Sequence, residues 1–252
     1  MRIYLLLIAA ASTCVSCHTQ EPSNRLSIGI PTIEQEASYI WRTINDISFL
    51  EGQGYSIALP KAPLIDSLIE KSKSGAFGNE DYPAIYQLLE SEVYNEVDYQ
   101  AALEKVQQEE ALINDLIQRI VTTNSKWDWE FKLFDSYPIV FTLYGSGGSY
   151  DPETGQVTLF TTPDGAFKNY KSPANTIIHE ITHMGMEQSI VQKHQLPHGL
   201  KERIVDRFVF LMFQDDLPNY KVQNMGDVAI DEYLQRAADI AQLDAILTRF
   251  MK

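Results

Sequence analysis

Ser172-Pro173-Ala174-Asn175-Thr176-Ile177-Ile178-His179-Glu180-Ile181-Thr182-His183 is the stretch on which the reading of this chain turns. Ser172 suits a helix N-cap, and Pro173 suits the first turn, where its missing N–H costs nothing. Ala174, Ile177, Ile178 and Ile181 give the helix an apolar face. His179 and His183 are four residues apart, so their imidazoles stand one turn apart on one side. Two such nitrogens can meet one Zn2+ at about 2.0–2.1 Å. Glu180 lies beside the pair, displaced from it, which suits a general base acting on water at the metal. Histidine is scarce here, five in 252 residues, and four of the five fall within positions 179–198. A chance His-Glu-x-x-His then has a probability below roughly 1%.

A catalytic zinc needs a third protein ligand and an open position. The metzincin pattern would put a histidine six residues after His183, but Ser189 stands there; its glycine would fall at Met186. Glu187 continues the same helix and would have to reach backwards along the axis. Glu202 is better placed. Residues 194–199, with Pro197 and Gly199, let the chain turn before a second helix from Leu200 to about Asp215. Leu200, Ile204, Val205, Phe208, Leu211 and Met212 are its core face, while Glu202 and Asp206 share another stripe. Glu202 can ligate the metal, and Asp206 can take the free ring N–H of a ligating histidine. The plainer alternative for that pair is surface ion pairing with Arg203 and Arg207.

Upstream, Trp127, Trp129, Phe131 and Leu133 alternate with polar residues, which predicts a strand. Residues 139–144 and 156–162 read as two more strands, separated by a glycine-rich loop and an Asp151-Pro152-Glu153-Thr154-Gly155 turn. The expectation is a β-meander ahead of the motif helix. Before residue 126 the pattern is helical, with amphipathic segments at 34–50, 62–73, 83–96 and 98–123.

His179-Glu180-x-x-His183 followed by Glu202-x-x-x-Asp206 resembles the gluzincin metallopeptidases, the clan of thermolysin-like enzymes. The resemblance covers about residues 138–215. It implies an α+β, zincin-like catalytic domain of meander strands, active-site helix and glutamate helix. It also implies His179, His183 and Glu202 as zinc ligands, Glu180 as base, and Asp206 behind the ligands. Lys201 stands where thermolysin-like enzymes carry Asn. Gluzincins steady the oxyanion with a Tyr or His; His198 is the preferred candidate, with His194, Tyr220 and Tyr150 as alternatives. Extended substrate would add to the strand at 156–162.

The N-terminus reads as an export signal. Arg2 precedes an apolar run at 3–11 that is too short to span a bilayer. The only cysteines, Cys14 and Cys17, follow it. The segment resembles the lipobox of bacterial lipoproteins, with Cys17 as the lipidated residue and Cys14 as the alternative. The expected organisation is a signal at 1–16, a tether at 17–31, a helical region at 32–125 and the metallopeptidase domain at 126–252. The protein is then a cell-envelope lipoprotein held to a membrane by its lipid, or otherwise secreted. The net charge of −14 argues against nucleic acid as a partner. The expected activity is zinc-dependent hydrolysis of a peptide or protein substrate. The rivals are a zinc hydrolase for another amide or ester, and a non-catalytic binding lipoprotein of zincin shape. The intact Glu180 weighs against the latter.

Overall fold

The computed structural model describes residues 24–168 and 171–252. The signal segment, Cys14, Cys17 and the start of the expected tether lie outside the described residues. The fold is α+β, with helices surrounding a four-stranded mixed sheet. Among the described residues no helix is long and apolar enough to cross a membrane.

The first strand, β1 (Leu26–Ile28), falls within the expected tether and pairs in parallel with β2 (Tyr137–Thr142). The tether reading therefore fails from Leu26 onward, because Leu26 is buried and its partner is over a hundred residues away. Between these strands come α1 (Ile33–Asn45), α2 (Ile47–Gly52), α3 (Pro63–Lys73), α4 (Tyr82–Leu88) and α5 (Gln100–Thr123). A Thr32/Gln35 capping box starts α1. Ala37, Ile40 and Ile44 of α1 pack with Ile65, Leu68, Ile85 and Leu89 into a small core of their own.

Helix α5 belongs elsewhere. Its face of Val106, Ile113, Leu116, Ile117 and Ile120 joins the main core with the sheet and the later helices. Each such side chain contributes about 1.5–3 kcal/mol by leaving water. The packing boundary therefore falls before α5, not at residue 125, since α5 has its apolar stripe on the far side.

The strands are not a meander. β2 pairs in parallel with β4 (Val157–Phe160), and β3 (Ser149–Tyr150) pairs antiparallel with β4, giving the order β1-β2-β4-β3. Residues 127–133 form no strand. Trp127 and Trp129 stack at 4.9 Å, and Trp129 and Phe131 pack on Phe208 at 6.3 and 5.8 Å. Their alternation comes from an extended segment pressed onto helices, without a ladder partner. The strand at 156–162 is likewise not a free edge, because β3 covers its start; β1 and β3 are the outer strands.

After the sheet come α6 (Pro173–Met186) and α7 (His198–Phe213), and the chain ends with α8 (Ala237–Ile240) and α9 (Leu243–Phe250). Every residue of α6 is buried. It is enclosed by α5, the sheet and α7, so its polar side chains sit in the interior of the molecule.

Candidate metal centre

Both ends of α6 are fixed by other parts of the chain. At the start, Ser172 does not cap the helix itself; its hydroxyl and the Ala174 N–H both donate to one carboxylate oxygen of Glu109 on α5, at 2.7 and 2.9 Å. A carboxylate there satisfies free N–H groups and the helix dipole together. At the far end, Lys132 N–H donates to the Gly185 carbonyl at 2.9 Å. The Phe131 ring lies so close that a Cβ on Gly185 would sit 2.1 Å from it. Only glycine admits this approach.

The turn after α6 uses Gln195 at φ 52, and Pro197 stands at the N-cap of α7. The crossing of α7 over α6 brings Glu202 to the histidines. Nε2 of His183 lies 3.0 Å from Nε2 of His179 and 3.2 Å from Oε2 of Glu202, and the third side of the triangle is 3.6 Å. Two tetrahedral ligands at the usual zinc distances stand roughly 3.3–3.4 Å apart. The three atoms thus surround a point suited to one small cation. His179 and His183 are only 7% and 2% exposed. His179, His183 and Glu202 form a group that can hold a metal ion. Glu187 does not join it; it sits at the cleft rim and accepts from Gln192 at 3.3 Å.

Behind the triangle lies Asp206, fully buried. It does not bond a ligand directly, as its nearest approach to His179 Nδ1 is 3.4 Å. Tyr220 stands between them. Its hydroxyl donates to Asp206 Oδ1 at 2.7 Å and lies 2.7 Å from His179 Nδ1. The hydroxyl proton being given to the carboxylate, Nδ1 must carry its own, so that once the ring is neutral Nε2 is the nitrogen whose lone pair can meet a metal. Asp206 Oδ2 accepts from Gln223 N–H at 2.7 Å, so the carboxylate is held from both sides. Arg203 instead pairs with Asp231, and Arg207 reaches the Leu234 carbonyl, so neither neutralises Glu202 or Asp206 by direct pairing. In the sequence Tyr220 stands out only as a candidate oxyanion donor, because no spacing rule links it to Asp206 across the loop after α7. His183 is oriented differently. Its Nδ1 is buried without a hydrogen-bond partner among the described residues, and the Tyr150 ring stacks on it at 5.2 Å and 10°.

Charge follows this geometry. Burial alone would favour neutral His179, but the carboxylates of Asp206 at 3.4 Å and Glu202 at 3.6 Å outweigh it and raise its pKa to about 10. Burial drives His183 down to about 4. Glu202 resists its own desolvation because the two imidazoles stand against it, His183 at 3.2 Å and His179 at 3.6 Å, and it stays well below the ordinary carboxylate range. Glu180, beside the triangle, is pushed up to about 7 by burial, with Glu202 adding to the effect and His179 and Lys201 opposing it. A carboxylate poised near neutrality is what proton transfer at physiological pH needs. Gly148 closes in on it: a Cβ there would lie 3.2 Å from Glu180 Oε1.

The centre opens into a cavity of about 1270 Å³. Tyr150 and His198 both line it. His198 is more than half exposed, with Nδ1 3.7 Å from Glu202 Oε1. His194 does not line it and pairs with Asp244 at 2.8 Å. Arg42, Phe49 and Tyr55 reach the same cavity from α1, α2 and the segment after α2. Comparison of the chain with protein-family models, curated proteins and solved structures finds no match.

Proposed function

We propose that the protein is a zinc-dependent peptidase with a gluzincin-like centre, in an exported, lipid-anchored chain. The reading is carried by one observation: Nε2 of His179, Nε2 of His183 and Oε2 of Glu202 converge within 3.6 Å beside a buried Glu180 that opens on a cleft. Two neutral-capable imidazoles and one carboxylate are a donor set that zinc favours, and three protein ligands leave a position for water or substrate. Zinc bound there supplies Lewis acidity toward a carbonyl and toward water.

The chain's own residues do the remainder. His179 and His183 present Nε2, and Tyr220 with Asp206 keeps His179 in that tautomer. Glu180 takes a proton from the attacking water and returns it to the leaving amine, for which its raised pKa fits it. Tyr150 and His198 flank the opening as donors toward the developing oxyanion, with Tyr150 held by its stack on His183. In the zincin-like reading, extended substrate runs beside β3, whose outer edge is not paired within the sheet.

The test joins metal analysis to Glu180→Gln. Purified protein is expected to hold about one zinc per chain and to cleave a peptide library. Glu180→Gln should retain the metal and lose hydrolysis by 10²-fold or more, the order associated with a general base. Protein that takes up no zinc on titration would overturn the metal reading. Cleavage that survives Glu180→Gln would overturn the mechanism.

A further inference from the structure

The cleft is electrostatically unlike the rest of the chain. Acidic residues outnumber basic ones 34 to 20 over the sequence. Around the cavity the order reverses: Arg42, Lys168, Lys201 and Lys221 face three carboxylates, Glu180, Glu187 and Glu202. Two of those three belong to the metal centre, and a dication there would offset them. Lys168 is fixed in the rim, donating to the carbonyls of Ser56 and Ser146. Lys201 stands nearest the chemistry. Its ammonium is 3.7 Å from Glu202 Oε1 and 3.4 Å from the Tyr150 hydroxyl, on a side chain only 18% exposed. Once Glu202 serves a metal, that ammonium is an under-compensated cation a few ångströms from the reacting centre. Arg42 is exposed on α1 and lines both this cavity and the adjoining one along Tyr39, Tyr150 and Asp151.

Resting on the peptidase reading of this cleft, we propose that its substrates carry a carboxylate close to the scissile bond, received by Lys201 and, farther along the cleft, by Arg42. Lys201 is then a specificity-determining residue. Within the cleft, at distances shorter than the screening length, these cations favour an anionic group over a cationic one. A carboxylate bound to a half-buried ammonium gains a charge-assisted hydrogen bond, whereas a lysine side chain in the same place meets an unscreened like charge. The carboxylate can belong to an Asp or Glu side chain or to the peptide's own C-terminus.

The experiment measures binding separately from turnover. Fluorescent peptides of one length are titrated by anisotropy onto zinc-loaded Glu180→Gln protein. The set comprises an acidic peptide with a free C-terminus, the same peptide amidated, a neutral peptide in both forms, and a lysine-bearing amidated peptide. The acidic peptides should bind on the order of tenfold more tightly than the lysine-bearing one, with the margin shrinking as salt rises. Lys201→Met added to this protein should remove most of that margin while leaving the neutral amidated peptide and the zinc content unchanged; a merely structural lysine would weaken all peptides alike. Preference that survives amidation assigns the carboxylate to a side chain, and preference that vanishes with amidation assigns it to the C-terminus. Equal binding of acidic and lysine-bearing peptides overturns the proposal, as does a preference untouched by Lys201→Met and Arg42→Met together. Because catalysis is already disabled in these proteins, failure of the peptidase reading shows separately, as absence of library cleavage by the wild type.

Discussion

The Tyr220 hydroxyl lies 2.7 Å from His179 Nδ1 and gives its own proton to Asp206, so a buried carboxylate sets the tautomer of a candidate metal-ligating histidine through a phenol. Removing that hydroxyl leaves His179 Nδ1 in a site that burial has dried and deprives Asp206 of one donor. Tyr220→Phe keeps the ring, and so most of the packing. The expected result is a 10–100-fold loss of zinc affinity, the range typical of groups that support metal ligands, measured by chelator competition. An unchanged affinity would show that the phenol packs without orienting the ligand.

Zinc affinity should also depend on pH, with a definite sign. The carboxylates of Asp206 and Glu202 beside it hold the His179 pKa at about 10 against its desolvation, so in the metal-free protein it keeps a proton through neutrality. A ligand must lose that proton to bind metal. Raising the pH from 6 to 8 therefore favours binding, by up to about tenfold per pH unit while His179 remains the protonated group. Calorimetric titration in two buffers of different ionisation enthalpy should report about one proton released per zinc. A flat profile over this interval would mean that His179 is already neutral before the metal arrives.

Much of the candidate centre was legible because it obeys local rules. His179, Glu180 and His183 follow from helical spacing, and Glu202 with Asp206 follows from a second amphipathic helix one turn of chain later. What lay hidden was non-local. The pairing of Leu26 with Tyr137 joins segments over a hundred residues apart, and no periodicity near Leu26 announces it. The alternation at Trp127, Trp129 and Phe131 is real, but it registers one-sided packing on Phe208 as well as it would register a strand. Tyr220 meets Asp206 only because an irregular loop folds back over α7. Nothing in the local pattern of α1 marks Glu36, a charged residue, for the completely buried place it takes.

Gly185 tests how closely residues 127–133 must lie on α6. A methyl group there would stand 2.1–2.5 Å from three atoms of the Phe131 ring, well inside contact distance. Helix propensity favours Ala over Gly by up to about 1 kcal/mol, but overpacking a buried site costs about 1–3 kcal/mol. Gly185→Ala is therefore expected to lower stability, with a fall of several degrees in the melting midpoint. Pairing it with Phe131→Leu, which shortens the opposing ring, should recover part of the loss. A Gly185→Ala protein that melts higher than wild type would show that the ring yields freely.

Glu36 gives the sharpest prediction about stability. Its Oε1 accepts from the Tyr99 hydroxyl and from Leu143 N–H, and its Oε2 meets the Thr142 hydroxyl, tying α1 to the end of β2. Burial raises its pKa above the ordinary 4.5, and the three hydrogen bonds only partly oppose this. The folded protein thus holds the proton more tightly than the unfolded chain does. The associated stability is fully present below about pH 4.5 and is lost as pH climbs through the raised value. Glu36→Gln should remove that slope. Its amide can donate to Thr142, which in turn can donate to the Tyr144 carbonyl at 3.1 Å, while its carbonyl takes over the two bonds at Oε1. Denaturant unfolding at pH 5 and pH 8 should show a flatter profile for Glu36→Gln, at no loss of stability at the higher pH. Glu36→Ala instead strands the Tyr99 and Leu143 donors in the interior, at a cost of about 1–3 kcal/mol for each unsatisfied group. Because Arg42 rides on the same helix, Glu36→Ala should also weaken the binding of acidic peptides in the cleft. Equal pH slopes in wild type and Glu36→Gln would mean that the buried carboxyl is ionised throughout.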